Sequence, residues 1–259
     1  MFVRVPLCVG AAVLGAALLT GASAGAVTAQ LEFDRFGRSD LAAAKAAKTG
    51  YLSGYTLNNR HEETFEGHAA WNGSSGTSDP KNTAVGSFSA HGHAGTGGSV
   101  VGDGAKTQVR GDNAMSSGRY STAPSASAGL SGNWLDSNDN TGMTWDLSGL
   151  GPFNLLAFYV TDAADVGGRF SIKVGDTLFS DLAGGERLAN GNIHLFRVLL
   201  DETVHSLTLQ LMHNRTNDGF GLDGITVAKA SPVPLPPAAA LMLPGLALIA
   251  AARYRRRRG

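Results

Sequence analysis

Residues 206–227 read SLTLQLMHNRTNDGFGLDGITV, and this stretch decides the fold. Leu207, Leu209 and Leu211 fall on one side of an alternating run, with Ser206, Thr208 and Gln210 on the other. A period of two is the spacing of a β-strand with one buried face. Asn217-Asp218-Gly219 interrupts the run with turn residues, and residues 220–227 resume it as a closing strand. No helical pattern intervenes, so the two strands belong to an antiparallel architecture.

The same signals recur toward the amino terminus. Residues 143–147 and 153–161 are continuous apolar runs, suited to strands buried on both faces. Phe170, Ile172 and Val174 share one face of 169–174, and Gly175-Asp176 turns that strand into 177–179. Asn190-Gly191 predicts a hairpin before a strand at 193–200. Further upstream, 77–132 is rich in Gly, Ser and Asn, with short β-like pieces at 85–90, 99–101 and 107–110 among long loops. Residues 61–71 read as a strand ending in the turn Asn72-Gly73-Ser74-Ser75-Gly76. One helix is predicted: Ser39 or Asp40 caps it, 41–48 is alanine-rich, and Gly50 stands at the C-cap position. The expectation is an all-β chain, an antiparallel β-sandwich over 61–230 preceded by a linker with a short helix over 27–60.

Both ends carry address-like segments. Arg4, the apolar run 7–19 and the small-residue sites Ala22-Ser23-Ala24 and Ala24-Gly25-Ala26 make 1–26 a secretory signal peptide, a substrate for signal peptidase. The carboxyl end, 231–259, reads SPVPLPPAAALMLPGLALIAAARYRRRRG. It places a proline box before an uncharged apolar run at 238–252, and ends in a basic cluster. The apolar run partitions into a bilayer and the arginines stay on the cytoplasmic side. That run is shorter than the roughly 20 residues of a comfortable helical span and contains Pro244-Gly245, which describes a marginal or temporary transmembrane segment.

Charge and cysteine usage agree with export. Between the two ends, 15 Lys and Arg stand against 21 Asp and Glu, a net charge of −6. Such a domain is a poor partner for nucleic acid and leaves room for divalent cations. The single cysteine, Cys8, lies in the signal segment, so no disulfide holds the exported part together.

The order Val233-Pro234-Leu235-Pro236, apolar segment, and Arg255-Arg256-Arg257-Arg258 resembles the VPLPA-type variant of PEP-CTERM sorting signals, with Pro237 standing where that box usually carries Ala. The resemblance implies processing at the inner membrane by an exosortase-type enzyme, then residence on the cell surface or in the extracellular matrix. An ordinary unprocessed anchor is the alternative. The pieces FEGHAAWNG, NWLDSNDNTGMTWDL, FYVTDAADVGGRFSIKVGD and NDGFGLDGITV look like the exported domains that accompany such tails. The last is also similar to the closing strand of jelly-roll sandwiches of the galactose-binding and carbohydrate-binding-module type.

That second resemblance implies a structural calcium, with Glu66 and Asp223 at the matching positions; the other account of these residues is carboxylates bonded to backbone amides. Asp136, Asn138 and Asn140 alternate like the opening of an EF-hand loop, but the glycine is one place late and position twelve is Leu147. They form a calcium or glycan loop, or an Asx-rich turn. For glycan binding, Trp71 and Trp134 border polar turns and are the first aromatic candidates, whereas Trp145 lies in a strand and belongs to the core.

No catalytic residue is singled out. His61-Glu62 begins like H-E-x-x-H but Phe65 replaces the second His, and there is no G-x-S-x-G elbow, P-loop or G-x-G-x-x-G. Glu62, Glu63, Glu66, Asp162 and Asp165 form an undifferentiated carboxylate pool. The expected role is a non-enzymatic surface or matrix protein; the alternative is a calcium-dependent carbohydrate-binding module that tethers exopolysaccharide.

Overall fold

A computed structural model describes residues 27–72, 75–94, 106–111, 118–122, 132–215 and 218–233. The signal segment, the β-like piece at 99–101, and the tail from Pro234 onward lie outside the described residues. Among the described residues no helix is long and apolar enough to cross a membrane.

Two antiparallel sheets face each other. The larger contains β1 (Ala29–Phe36), β2 (Tyr55–Glu63), β4 (Gln108–Arg110), β5 (Trp134–Asp136), β7 (Phe153–Thr161), β10 (Ile193–Val204) and β12 (Gly221–Pro232). The smaller contains β3 (Ser87–Ala94), β6 (Asn140–Asp146), β8 (Phe170–Val174), β9 (Thr177–Phe179) and β11 (Thr208–His213), in the order β3-β6-β11-β8-β9. β12 is the pivot of the larger sheet. It pairs with β7 along one side, and on the other with β5 at its start and β2 at its end.

The two-residue alternation of β11 holds in the structure. Leu209 and Leu211 of β11 are fully buried while Thr208 is exposed, and Phe170, Ile172 and Val174 of β8 are all buried. β7 is buried on both faces for a visible reason. Leu156, Phe158 and Val160 join the core between the sheets, whereas Leu155, Ala157 and Tyr159 point outward beneath α1 (Leu41–Ser53). Aromatic rings run through that core in unbroken contact: Phe88 on Trp145 at 5.4 Å, Trp145 on Phe158 at 5.6 Å, Phe158 on Phe196 at 5.7 Å, and Phe196 on Phe170 at 5.9 Å. Trp145 also donates its indole N–H to the Val85 carbonyl at 2.8 Å, so its one polar atom is satisfied inside the core.

Three local expectations are corrected. Residues 27–60 are not a linker: β1 pairs with β10 and β2 with β12, because their apolar positions are needed to complete the larger sheet. The helix does not stop at Gly50 but continues to Ser53, since Tyr51 and Leu52 pack on Leu155, Ala157 and Ala230 and hold the extra turn; Gly54 ends it. Asn190-Gly191 makes no hairpin either. β9 and β10 belong to different sheets, so these residues lie in a crossing loop, where the Gly191 N–H is held by Asp162 at 2.7 Å.

Candidate functional site

Antiparallel pairing stacks the polar loops at one end. Gly221 pairs with both Thr161 and Asp136, Thr161 with Ile193, and His213 with Phe170. The loops at 137–139, 162–169, 180–192 and 214–220 therefore meet at the same end of the sandwich, except that 216–217 lie outside the described residues. Residues 118–122 thread through this region as a strap, every one of them buried.

Arg119 is the centre of the strap. It is 4% exposed, and its Nη1 donates to Asp136 Oδ1 and to Asp139 Oδ1, both at 3.0 Å. Burial alone would lower the Arg119 pKa, but Asp136, Asp139 and Asp162 more than offset it and hold the guanidinium charged. Arg110 approaches from β4, with Nε on Asp136 Oδ2 at 3.2 Å and Nη2 on Asn138 Oδ1 at 3.4 Å. Gly219 lies close beside them, and a Cβ there would displace Arg119 Nη1.

The sequence-selected loop is built around these cations. Asp136 Oδ1 accepts the Asn138 N–H at 2.9 Å, and Asn138 and Asp139 follow with φ of 55° and 57°. Asn140 donates to the Ser137 carbonyl at 2.7 Å, and both Asn138 and Asn140 reach the Lys106 carbonyl. This is an Asx-rich turn matched to two guanidinium groups.

Glu66 and Asp223 do come together, on either side of Ser121. Asp223 Oδ2 accepts the Ser121 hydroxyl at 3.0 Å, the Thr122 N–H at 2.5 Å and the Thr122 hydroxyl at 3.1 Å, while Oδ1 accepts the Gly224 N–H at 2.6 Å. Glu66, which is exposed, accepts the Asn133 N–H at 2.7 Å. A Cβ at Gly132 would press on both Glu66 Oε1 and Ser121 Oγ. Burial pushes Asp223 up to about 6 despite its four donors, and Lys45 and Lys48 lie within electrostatic reach of it. Among the described residues no three His, Cys, Asp or Glu side chains are arranged to hold a metal ion.

The aromatic candidates divide. Trp71 is half-buried, and its backbone N–H donates to the Val109 carbonyl at 2.6 Å. Trp134 has 0% exposure, so it has no face to offer a sugar ring; its ring lies against Gly221, where an added Cβ would meet it at 3.1 Å. Trp145 is core, as expected.

The carboxylate pool divides as well. Glu63 accepts N–H groups from Phe65 at 2.7 Å and Ala84 at 2.9 Å, and Glu62 pairs with Arg60. Asp162 and Asp165 sit instead among the polar loops with Asp218, a residue that sequence reasoning had used only as part of a turn. Asp218 is 2% exposed, with its carboxyl group against that of Asp165 and within electrostatic reach of the Arg119 guanidinium. Burial pushes Asp162 up to about 7, and burial with the adjacent Asp165 pushes Asp218 up to about 8. Nothing in the spacing of Arg119 or Asp218 marked either residue, because the segments that meet there are far apart in the chain.

No protein-family model and no curated protein sequence matches the chain. Three solved structures align with parts of the chain. A family two carbohydrate esterase from Cellvibrio japonicus aligns over 70% of this chain and 37% of its own at 11% identity, with a TM-score of 0.28. The Podospora anserina GH26-CBM35 β-(1,4)-mannanase aligns over 51% and 29% at 18% identity, TM-score 0.25. The Agl-KA catalytic domain aligns over 71% and 31% at 10% identity, TM-score 0.30. The chain thus spans about a third of the length of the structures it matches, and likenesses of this size carry no argument about what it binds or does.

Proposed function

We propose that the chain is an exported, non-enzymatic β-sandwich of a bacterial cell surface or extracellular matrix, delivered by its two end segments. The observation that carries this reading is their position relative to the folded part. β1 begins at Ala29, just past the A-x-A sites, and β12 ends at Pro232, just before Val233-Pro234-Leu235-Pro236. A closed sandwich with its own core fills the interval, so removal of either end leaves its sheets intact. Signal peptidase acts at the first segment and an exosortase-type enzyme at the second, with the apolar run held in the inner membrane until processing.

The test is expression of the full chain in a Gram-negative producer, with and without its exosortase-type enzyme, followed by fractionation and mass spectrometry of both termini. A new amino terminus between 23 and 27, and loss of the arginine cluster only when the processing enzyme is present, are expected. Intact protein in the cytoplasm overturns the proposal.

Polysaccharide binding is a second reading, favoured by the partial exposure of Trp71 beside the polar Asn72. Co-sedimentation with the producer's own exopolysaccharide, lost in Trp71→Ala but retained in Trp71→Phe, supports it. Equal sedimentation of all three proteins removes it.

A further inference from the structure

We infer that the groove between the end of α1 and β2 is a docking surface for the chain's own proline box, residues 234–237. The groove has a volume of about 440 Å³ and is lined by Thr49, Leu52 and Ser53 on the helix and by Tyr55, Leu57 and Arg60 on the strand. Its walls are apolar, because Leu52, Tyr55 and Leu57 pack around Leu155, Ala157 and Ala230 while staying only half-buried themselves. Thr49, Ser53 and Arg60 are exposed and give it a polar rim. Tyr51 stands edge-on to Tyr55, with ring centroids 5.3 Å apart, and the Arg197 guanidinium lies over the Tyr51 ring at 5.3 Å, so the rings at this end are held in place.

The occupant follows from where the described chain ends. β12 runs antiparallel to β2, with Ala230 opposite Leu57, Ser231 opposite Thr56 and Pro232 opposite Tyr55. The Val233 N–H continues the ladder by one bond, to the Gly54 carbonyl at 3.0 Å. Gly54 separates Ser53 from Tyr55, two residues of the groove, so the chain beyond Val233 starts at the groove's lip.

That continuation is Pro234-Leu235-Pro236-Pro237. Proline has no N–H to donate, so this segment cannot extend the β12–β2 ladder. Its composition favours a polyproline II conformation, the pre-ordered apolar ligand that aromatic-lined grooves recognise. At about 3.1 Å per residue, four residues are long enough to lie along the groove. The short tether to Val233 also keeps the effective concentration of the box high, so a modest contact suffices. Under the function proposed above, a docked box is covered until the processing enzyme lifts it off; the contact itself does not rest on that reading.

The test uses the full chain in mild detergent, without any processing enzyme, in a Cys8→Ser background that leaves no native thiol. Thr49→Cys is paired with Pro236→Cys, and a control pairs Thr56→Cys with Pro236→Cys. Thr49 and Thr56 are both exposed and both close to the end of β12, but only Thr49 lines the groove. A disulfide closes only when the two Cα atoms come within about 7 Å. Under oxidised glutathione the 49–236 pair should close within one chain at least tenfold faster than the 56–236 pair, read from intact mass and from a gel shift that reverses on reduction. Leu235→Asp, which lies beyond β12 and so leaves the sheet alone, should slow closure of the 49–236 pair at least fivefold. Equal rates for the two pairs overturn the inference, as does an unchanged rate in Leu235→Asp. A disulfide joining two chains instead of one overturns it too, and would make the groove a contact between copies.

Discussion

Thr122 donates its backbone N–H to Asp223 Oδ2 at 2.5 Å, across 101 positions of the chain. With the hydroxyls of Ser121 and Thr122 and the Gly224 N–H, it closes the carboxylate off from solvent. Replacing Asp223 by Ala strands four donors in a site with 1% exposure. Urea unfolding should show a loss of about 2–4 kcal/mol, most of it from unsatisfied groups. Asp223→Asn should recover less than half of that, because the amide nitrogen faces donors.

Arg119 should be harder to replace. Arg119→Met leaves Asp136 and Asp139 beside each other without the cation that now joins them, and Asp136 is fully buried. Removing one partner of such a cluster costs about 3–5 kcal/mol. Arg119→Lys should also destabilise, since one ammonium cannot reproduce the planar fork. Denaturant midpoints of the two variants against wild type test both statements.

The protein should lose stability as pH rises from 6.5 to 7.5. Folded Asp162 and Asp218 titrate near 7 and 8, above the ordinary 3.8, so the folded chain binds more protons than the unfolded chain in this window. Stability then falls with rising pH. Buried His194 and His213, lowered to about 3 and 4, are neutral in the folded state and oppose the trend only while the unfolded imidazoles keep protons near pH 6.5, and Lys48, lowered to about 8, opposes it above that value. Asp218→Asn should flatten the urea midpoint between pH 6.5 and 7.5; an unchanged slope would refute the assignment.

Trp145 joins Phe88 and Phe158 and holds the Val85 carbonyl. Trp145→Ala should cost about 3–5 kcal/mol through the cavity it opens. Trp145→Phe should cost less, retaining ring contact but leaving a buried carbonyl unpaired. Thermal midpoints of the pair separate packing from the hydrogen bond.

The strands were legible wherever a two-residue period or an apolar run reported burial directly. β7 and β9 fall at 153–161 and 177–179 as read, and β8 and β11 differ only at their ends. β1 escaped notice because AQLEFDRF keeps its polar residues at an edge, where charge is tolerated and the alternation is blurred. In the site, Glu66 and Asp223 were brought to a common neighbour, whereas Trp134 was misjudged because bordering a polar turn says nothing about which way a ring points. Arg119 and Asp218 were invisible for a different reason. Their roles come from loops that meet only after both sheets have formed, and a long-range juxtaposition leaves no local period to read.

β12 leaves the larger sheet at Pro232, flanked by β7 for much of its length and by β2 at its end, and the Val233 N–H is still tied to the Gly54 carbonyl at 3.0 Å. A pull applied from beyond Val233 therefore runs along a strand clamped on both sides, loading its hydrogen bonds together in shear instead of peeling them one at a time. A pull from the amino end meets β1, which is paired on one side only, so the domain resists traction unequally from its two ends.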